Sequence, residues 1–428
     1  MKELIVKKTE QLSGSVEAPP SKSYTHRAVI ASSLADGVSK IENPLVSDDT
    51  IATVNICQKL GITIRLGDKK WVIEGKSKLN KSPGLLDCHD SASTMRFMAP
   101  VCALAPGISI LTGGSSLRKR PMGPLLDALS QLGVKCYSAN GDGRPPLVVF
   151  GGGIKGGKVA IAGDISSQFI SGLLFACPLA EKETCLRLTT HLESKPYVQM
   201  TLKILRRHGI RIDMSKDLRR YRITPKQHYK PLDYTVPGDF SAAAFLMAAT
   251  VITNSTVIIT NLQPDTTQGD EAILAILKHM GADIKLRKNY VKVSGAPLRG
   301  IKIDAKEIPD LVPVCAALAC YAEGKTYIVN AQRLRLKESD RLATISAELT
   351  KMGGKITEHK DSLTIHGPSP LHGAVVDPHN DHRIAMACAI AALNAKGVTR
   401  IKNPECISKS YPNFINDLKA IGGNLSAR

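Results

Sequence analysis

The chain has 428 residues, 43% of them hydrophobic, and this length predicts two or three folded domains, which excludes a largely disordered protein. Lysine and arginine exceed aspartate and glutamate by 19 charges, a balance that predicts an anionic partner and by itself leaves nucleic acid open. Aromatic residues make up only 4% of the chain and long basic blocks are missing, so the stacking platforms and basic tails common in nucleic-acid binders are not evident. Charge by itself leaves a small anionic substrate and nucleic acid equally open.

The N-terminal residues and the longest apolar segment predict a location inside the cell. Met1–Lys8 has no apolar stretch of signal-peptide length, and the apolar run Ala242–Ile252 is too short to cross a bilayer. The ten cysteines are scattered, and none has the Cys-x-x-Cys spacing of zinc or redox sites. We therefore expect a cytoplasmic protein that has reduced cysteines, no metal site and no membrane partner.

An amphipathic helix followed by a hairpin is the first clear pattern along the chain. Ile51–Leu60 has helical periodicity, Gly61 follows it, and Ile62–Leu66 and Trp71–Ile73 alternate as strands around a polar turn. The pattern recurs six times, and its helix-ending glycines are Gly61, Gly133, Gly209, Gly281, Gly353 and Gly422. Ordinary helix C-caps would explain single glycines, but spacings of 69 to 76 residues indicate an internal repeat.

Segments between these units predict a strand and then a helix. Val159–Ala162 followed by Phe169–Leu179 is one example. The complete repeat is therefore predicted to be βαβαββ, and six copies could form one solenoid or two domains of three.

Several predicted helices begin with clusters of Ser, Asp, Lys or Arg: Ser21–Arg27, Asp90–Arg96, Asp164–Gln168, Gly238–Ser241, Lys337–Arg341 and Asn380–Arg383. A helix start offers unpaired N–H groups and partial positive charge, so it suits phosphate or carboxylate. Simple N-capping is the better explanation for Asp239 or Asp381 taken singly. Lys22, Arg341 and Arg383 oppose the helix dipole and therefore indicate a bound anion.

Two segments, Pro20–Arg27 and Leu336–Leu342, resemble the signatures of the 5-enolpyruvylshikimate-3-phosphate (EPSP) synthase family of enolpyruvyl transferases. Further matching segments follow in the family's order: Ser166–Gln168, Ser194–Tyr197, Pro237–Asp239, Asp310, Asn380–Arg383 and Cys406–Lys409. The resemblance implies an α/β (α+β) fold of two domains, each of three βαβαββ units about a pseudo-threefold axis, the inside-out α/β barrel. It places one domain at residues 1–18 plus 236–428, the other at 19–235, and the active site in the interdomain cleft.

The resemblance also implies a reaction, the transfer of the enolpyruvyl group of phosphoenolpyruvate to the 5-hydroxyl of shikimate 3-phosphate in aromatic amino acid biosynthesis. Each substrate carries about three negative charges near neutral pH. Unit charges ~5 Å apart repel by roughly 3 kcal/mol at an effective dielectric constant of ~20, so a site for both requires cations. Addition followed by elimination needs acid and base groups but no cofactor, and a monomer is expected.

The family's motifs assign roles to individual residues. Asp310 is expected to take the hydroxyl proton, and Glu338 or Lys22 to exchange the proton at C3, a choice that the sequence leaves open. The residues expected to contact shikimate 3-phosphate are Lys22, Ser23, Arg27, Ser166, Ser167, Gln168, Ser194, Asp310 and Lys337. Those expected around phosphoenolpyruvate are Lys22, Ala92, Arg120, Gln168, Arg341, Arg383 and Lys409.

The chain departs from the family before Arg96, where His89–Ser93 replaces the usual Gly-Asn-Ser/Ala-Gly-Thr. The methyl group of Ala92 would narrow the phosphoenolpyruvate pocket, and Asp90 adds an acid that Arg96 would have to neutralise. We therefore expect weaker inhibition by glyphosate than in members with glycine at this position. Arg333 stands where some members have asparagine, and the sequence assigns it no role.

Three alternatives stay open at the level of the sequence. A UDP-N-acetylglucosamine enolpyruvyl transferase has the same fold, but its Lys-Asn pair is replaced here by Lys22-Ser23, and its cysteine loop is not evident around Arg118–Pro121. A non-catalytic, basic nucleic-acid-binding repeat protein would show salt-sensitive RNA binding without turnover. An inactive scaffold with this fold would release no phosphate.

Overall fold

The computed structural model describes residues 3–264 and 266–427. The chain divides into two compact units. We call Met1–Pro19 with Pro237–Arg428 the discontinuous unit, and Pro20–Val236 the continuous unit. Each has its own hydrophobic core.

The described residues form 24 strands, arranged in six four-stranded sheets. In chain order the strands are β1 (Glu3–Lys7), β2 (Ser15–Glu17), β3 (Gly37–Glu42), β4 (Thr63–Leu66), β5 (Lys70–Gly75), β6 (Leu85–Asp87), β7 (Ile108–Thr112), β8 (Cys136–Ser138), β9 (Leu147–Phe150), β10 (Gly157–Ile161), β11 (Thr184–Leu188), β12 (Ile212–Met214), β13 (Arg220–Ile223), β14 (Tyr234–Thr235), β15 (Thr256–Thr260), β16 (Asp283–Leu286), β17 (Tyr290–Ser294), β18 (Lys302–Asp304), β19 (Gly324–Val329), β20 (Lys355–Glu358), β21 (Leu363–Gly367), β22 (Val375–Val376), β23 (Val398–Lys402) and β24 (Leu425–Ala427).

Helices alternate with these strands along the described chain. They are α1 (Lys22–Ser33), α2 (Asp48–Lys59), α3 (Ala92–Cys102), α4 (Ser115–Arg118), α5 (Gly123–Gln131), α6 (Ser167–Ala176), α7 (Lys195–Arg207), α8 (Phe240–Ile252), α9 (Ile273–Met280), α10 (Val312–Ala319), α11 (Arg341–Lys351), α12 (His382–Ala392) and α13 (Phe414–Ala420). Short 3-10 turns cover Cys177–Leu179, Gly269–Ala272, Pro309–Leu311, Gln332–Leu336 and Pro404–Lys409. Among the described residues, no helix has both the length and the apolar character that a membrane span requires.

The sheet β10-β11-β13-β12 shows the repeat in its simplest form. Strands β10 and β11 are parallel, with α6 between them in the chain, and α7 then leads to the hairpin β12–β13. Strand β13 pairs antiparallel with β11. The other five sheets have the equivalent strand order, so the predicted βαβαββ unit is confirmed.

Distant segments complete three of the sheets. In the continuous unit, β14 pairs in parallel with β3, although almost 200 residues separate them. In the discontinuous unit, β1 lies between β23 and β24 and supplies the last strand of the C-terminal repeat. Strand β2 pairs with β15 of the same unit, so the chain enters the continuous unit after β2 and leaves it after β14.

All six predicted helix-ending glycines have φ between +82° and +116°. This left-handed backbone is strained for residues with a Cβ atom, which explains why glycine recurs there. At Gly61, a Cβ atom would also lie 2.3 Å from the side chain of Asn80. The glycine spacing therefore reported the repeat correctly.

In each repeat the helix directly before the second strand is the most buried one. Every residue of α8 is buried, and α8, α10 and α12 contact one another in the discontinuous unit. In the continuous unit α3 packs on α6, and α1 packs on α2 and α7. Apolar residues around the whole helix circumference suit such central positions. Within each unit the packing brings helix starts together, and these starts hold the predicted site residues.

Candidate active-site clusters

Side chains at helix starts of the continuous unit form two hydrogen-bonded sets, which together we call the Lys22 cluster. One set is Lys22 with Asp49, and the other contains Ser93, Arg96, Ser166 and Gln168. Lys22 is the first residue of α1, and its Nζ donates to Oδ2 of Asp49 at 2.9 Å. Asp49 lies in the first turn of α2. Both side chains are largely buried, so the pair fixes the ammonium group beside a second helix start. An acidic residue in a first helical turn was the available sequence signal for Asp49, which the sequence analysis missed.

Gln168 is held at both ends of its amide group. Its Oε1 accepts from Nη1 of Arg96 at 2.8 Å, and its Nε2 donates to Oγ of Ser93 at 2.7 Å. The Arg96 guanidinium also lies 5.1 Å from the centre of the Phe169 ring. These contacts tie the starts of α3 and α6 together and give Gln168 one orientation. From the sequence, Arg96 was expected only to neutralise Asp90. In the structure it positions Gln168, a predicted ligand-binding residue.

Arg27 joins α1 to α7. Its Nε donates to Oγ1 of Thr201 at 2.8 Å, and Nη1 and Nη2 donate to the carbonyl oxygens of Ser23 and Tyr197 at 2.8 and 3.0 Å. Burial lowers the pKa of Arg27 to about 10, which still leaves it charged at neutral pH. Three of its five N–H groups are therefore committed to the protein. Its predicted contact with shikimate 3-phosphate stays a prediction.

A buried chain of hydrogen bonds links three helix starts. Nδ1 of His26 lies 2.8 Å from Oγ1 of Thr53, which lies 2.7 Å from Oγ1 of Thr94, and Thr94 donates to Oγ of Ser91 at 2.7 Å. Burial, followed by the nearby positive charges, holds the pKa of His26 well below its usual value, so the ring is neutral. The network belongs to α1, α2 and α3, and a sequence pattern cannot show it because its two links between helices join residues 27 and 41 positions apart.

The remaining predicted residues of the continuous unit lie at helix starts or, for Arg120, between α4 and α5. They are Ser23, Ala92, Arg120, Ser166, Ser167 and Ser194. Ser194 is buried and has the left-handed backbone φ 54°, ψ 47° directly before α7. Such a conformation costs a non-glycine residue of order 1–3 kcal/mol, and strained residues of this kind concentrate at functional sites.

The second group, the Arg341 cluster, lies in the discontinuous unit and contains Asp310, Lys337, Glu338, Arg341, Asp381 and Arg383. Arg341 begins α11, and its side chain is 1% exposed. Its Nε donates to Asp381 at 2.8 Å, and Nη1 to Asp310 at 2.8 Å. Nη2 donates to Glu338 at 2.6 Å. Burial alone would lower the pKa of Arg341, but the three carboxylates raise it above the usual arginine value. A permanently charged guanidinium thus organises three acids.

Asp310 receives two further cations. Nζ of Lys337 lies 3.3 Å from Oδ1, and Nη2 of Arg383 lies 3.2 Å from Oδ2. Burial would raise the pKa of Asp310, but Arg383, Lys337 and Arg341 outweigh it and hold that pKa well below its usual value. Burial is also the largest cause of the lowered pKa of Lys337. Asp310 is therefore ionised and, while these cations hold it, a weak base.

Two other predicted segments of this unit, Asn380–Arg383 and Cys406–Lys409, place cations at the start of α12. Asp381 caps α12 through the backbone N–H of Arg383 at 3.0 Å and also binds Arg341, so N-capping explains only part of its role. Nζ of Lys409 donates to the carbonyl oxygen of Asn380 at 3.0 Å. Arg333 donates to the carbonyl oxygen of Lys306 at 2.7 Å.

Asp270 is a buried acid that the sequence analysis did not single out. It lies in the 3-10 turn Gly269–Ala272 and is 3% exposed. Burial, followed by the negative charge of Asp310, raises its pKa to about 6, and Arg383 opposes this shift. In the sequence it resembles an ordinary acid near a helix start, and only the fold shows that it is buried beside another carboxylate.

This raised pKa predicts a pH-dependent effect of Asp270→Asn on stability. The folded protein binds the proton more tightly than the unfolded chain between the ordinary Asp value of 3.8 and about 6, so wild-type stability falls as pH rises through that window. The Asn variant lacks this loss, so we expect it to be more stable than wild type at pH 8, with an advantage that shrinks towards pH 4. Thermal unfolding of both proteins across this range measures the difference, and a pH-independent difference would contradict the assignment.

Comparisons with known proteins agree with this architecture. The family model of EPSP synthase (3-phosphoshikimate 1-carboxyvinyltransferase) matches residues 6–418. The enzyme of that name from Methanocaldococcus jannaschii is 47% identical, over 99% of each chain. The enzyme from Methanocella arvoryzae is 46% identical over 96% of this chain and 97% of its own.

Solved structures extend the likeness to the fold. EPSP synthase from Acinetobacter baumannii superposes with a TM-score of 0.85 at 25% identity, covering 100% of this chain and 99% of its own. The enolpyruvyl transferase NikO from Streptomyces tendae, at 21% identity, has a TM-score of 0.79 over 99% of this chain and 98% of its own, which supports the shared fold. Because the family model and the full-length relatives cover nearly the whole sequence, this chain belongs to the EPSP synthase family.

Proposed function

We propose that the Lys22 and Arg341 clusters act on the same two substrates, phosphoenolpyruvate and shikimate 3-phosphate, and transfer the enolpyruvyl group between them. Membership of the family supports this activity. The observation that carries the assignment of residues is Asp310, a carboxylate held by Lys337, Arg341 and Arg383. Such a site offers one base and several cations to two polyanions, which is what the reaction requires.

The cations are proposed to bind the acidic groups of the substrates. Arginine forks suit carboxylate and phosphate oxygens, so Arg120, Arg341 and Arg383, with Lys409, are assigned to phosphoenolpyruvate. The hydroxyl groups at the starts of α6 and α7, with Arg27 and Lys337, are assigned to shikimate 3-phosphate. Gln168 and Lys22 would contact both.

Substrate binding is proposed to activate the base. Arg383, Lys337 and Arg341 hold the pKa of Asp310 low. A phosphate or carboxylate group that binds Arg341, Arg383 or Lys337 competes with Asp310 for the same donors, so the pKa of Asp310 rises towards its usual value. Asp310 therefore becomes an effective base only when the anionic substrates are present.

The proton transfers follow from this arrangement. As the 5-hydroxyl oxygen bonds to C2 of phosphoenolpyruvate, its proton passes to Asp310, and C3 gains a proton from Glu338 or Lys22. The tetrahedral intermediate then loses phosphate from C2, which takes up the proton held by Asp310. The proton from C3 returns to the residue that supplied it, which restores the enol double bond. Glu338 is held by Arg341 and Lys22 by Asp49, so each candidate has a fixed position. All the residues assigned to the reaction come from one chain, so the proposal needs neither a second subunit nor a nucleic-acid partner. Its substrates are metabolites expected in the cytoplasm.

Incubation with both substrates, followed by assay of inorganic phosphate and of the enol ether product by mass spectrometry, tests the proposal. We expect phosphate and product in equal amounts. Phosphate release without shikimate 3-phosphate would indicate a phosphatase, and release with UDP-N-acetylglucosamine instead would indicate the related transferase. No release with either acceptor, together with salt-sensitive RNA binding, would favour a nucleic-acid-binding protein.

Ala92 provides a test of the phosphoenolpyruvate pocket. It is the first residue of α3 and is 6% exposed. If its methyl group narrows the pocket, Ala92→Gly should increase inhibition by glyphosate roughly tenfold, since one methylene in a pocket is worth ~1–3 kcal/mol. The concentration for half inhibition measures this effect. The KM for phosphoenolpyruvate, measured in parallel, separates a wider pocket from general damage, and unchanged glyphosate sensitivity would contradict the prediction.

A further inference from the structure

The outer face of the sheet β10-β11-β13-β12 carries an unusual group of cations. Val159, Leu186 and Tyr221 of its three longer strands are buried. Because side chains alternate between the two faces of a strand, their neighbours point away from the core. The exposed cations on this face are Lys158, Arg187, Arg220 and Arg222. None of them belongs to the Lys22 cluster.

Two of these arginines face each other directly. Arg187 on β11 and Arg220 on β13 are paired residues of the antiparallel ladder. Like charges directly opposite each other destabilise a sheet, so the fold itself gains nothing from this pair. Within the described part of the chain, neither guanidinium nor the ammonium group of Lys158 has an ion-pair partner, whereas Arg222 binds Glu183 at 2.8 Å.

The same face carries an open cavity of about 620 Å³, a volume within the range that binds small organic molecules. Gln131 of α5 closes one edge, because its side-chain amide bonds both the N–H and the carbonyl group of Ala160 on β10. Met214, which is 46% exposed, lines the opposite side, and the half-buried Cys185 lies in the floor. Asp213 of β12, which pairs with Arg222 in the ladder, adds one carboxylate. The lining thus combines an apolar surface, exposed cations and a single acid at the β12 edge.

We propose that this cavity binds a small organic anion, whose acidic group lies between Arg187 and Arg220 and whose apolar body rests on Ala160 of β10, at the opposite edge of the sheet from Asp213. Guanidinium groups bind carboxylate, phosphate or sulfonate oxygens through paired hydrogen bonds. An anion between the two arginines also removes the repulsion that the ladder imposes. The site is separate from the residues assigned to enolpyruvyl transfer.

A second like-charged pair in the protein serves as a control. Lys285 and Lys292 face each other in the hairpin β16–β17 of the discontinuous unit. Lys285, however, binds Asp283 at 3.2 Å, so this pair is partly neutralised. Net positive charge alone would attract an anion to both pairs, whereas the proposed site attracts it only to the first.

The test uses 8-anilinonaphthalene-1-sulfonate, an apolar sulfonate whose fluorescence reports binding, at 0.15 M salt. We expect the double substitution Arg187→Ala/Arg220→Ala to weaken binding about tenfold or more, which corresponds to at least ~1.4 kcal/mol. Lys285→Ala/Lys292→Ala should bind the probe as wild type does. Both double variants should keep the wild-type kcat. Equal binding by the Arg187→Ala/Arg220→Ala protein would overturn the proposal.

Alkylation of Cys185 gives a second readout that does not depend on the variants. The bound probe should slow modification of Cys185 by iodoacetamide, as followed by peptide mass spectrometry. Cys136, also half-buried but on another sheet, should react at an unchanged rate. The uncharged analogue N-phenyl-1-naphthylamine should protect neither cysteine. Absence of Cys185 protection by the sulfonate, or equal protection by the neutral analogue, would contradict an anion site.

Discussion

Replacing Asp310 with asparagine is expected to lower kcat by about 10²–10⁴-fold, the range that a positioned general base contributes. Asparagine has nearly the same shape, and its amide oxygen can still accept a hydrogen bond from one of the three cations around it. It cannot accept the proton of the attacking hydroxyl group. The KM for phosphoenolpyruvate should not rise, because Lys337, Arg341 and Arg383 then have one less carboxylate to compete with the substrate.

Steady-state phosphate release measures both constants for this variant. Asp304→Asn is a suitable control, since Asp304 lies in β18 of the same unit and its carboxylate accepts the backbone N–H of Lys306 at 2.9 Å. That variant should keep the wild-type kcat. If Asp310→Asn keeps kcat within tenfold of wild type, or mainly raises the KM, Asp310 is a binding residue and the base must be sought elsewhere.

The residue that exchanges the proton at C3 can be identified separately from the base that accepts the hydroxyl proton. Glu338→Gln keeps a hydrogen-bond acceptor for Arg341 but removes the ionisable group, and Lys22 stays intact. Incubation in heavy water with both substrates shows whether deuterium still enters C3. The comparison therefore resolves a choice between two residues that the sequence leaves open.

The parts of the fold that could be predicted from the sequence depend on only a few neighbouring residues. Gly61 and its equivalents adopt a left-handed backbone, a preference that depends only on a few neighbouring residues. The spacing of these glycines therefore predicted the repeat. Helix starts could also be predicted from the sequence, because capping and anion binding depend on residues of the first turn alone. The family resemblance then assigned roles to residues that local rules could only group together.

Contacts between distant segments were not predictable in this way. Asp49 beside Lys22, the chain from His26 to Ser91, and the burial of Asp270 all depend on how helices from different repeats pack. That Arg187 and Arg220 face each other follows only from the register of β11 and β13, which the number and positions of charges in the sequence do not predict. In each case the residue type was visible in the sequence, but its partner was not.

The Arg341 cluster also predicts a large effect on stability, because Asp381→Asn removes one charge from a fully buried pair. Asp381 is 0% exposed, and its carboxylate binds both Nε and Nη2 of Arg341. Asparagine is as good an N-cap as aspartate, so the cap on α12 should survive. Loss of the buried carboxylate leaves Arg341 with two acids, and we expect the free energy of unfolding to fall by about 3 kcal/mol, within the range for broken buried pairs.

Asp340→Asn provides the matched comparison for this effect. Asp340 also caps a helix, through the N–H of Ala343, and it binds Arg335 at 2.8 Å, but these two side chains are 39% and 27% exposed. An exposed pair of this kind is worth less than about 1 kcal/mol, so this variant should be nearly as stable as wild type. Urea unfolding followed by circular dichroism is the appropriate measurement, since the single tryptophan, Trp71, lies in the continuous unit and would report the wrong half of the protein. If both variants lose the same small amount of unfolding free energy, the buried Asp381–Arg341 pair contributes no more to stability than the exposed one. The Arg341 cluster must then be stabilised mainly by the packing of α11 and α12.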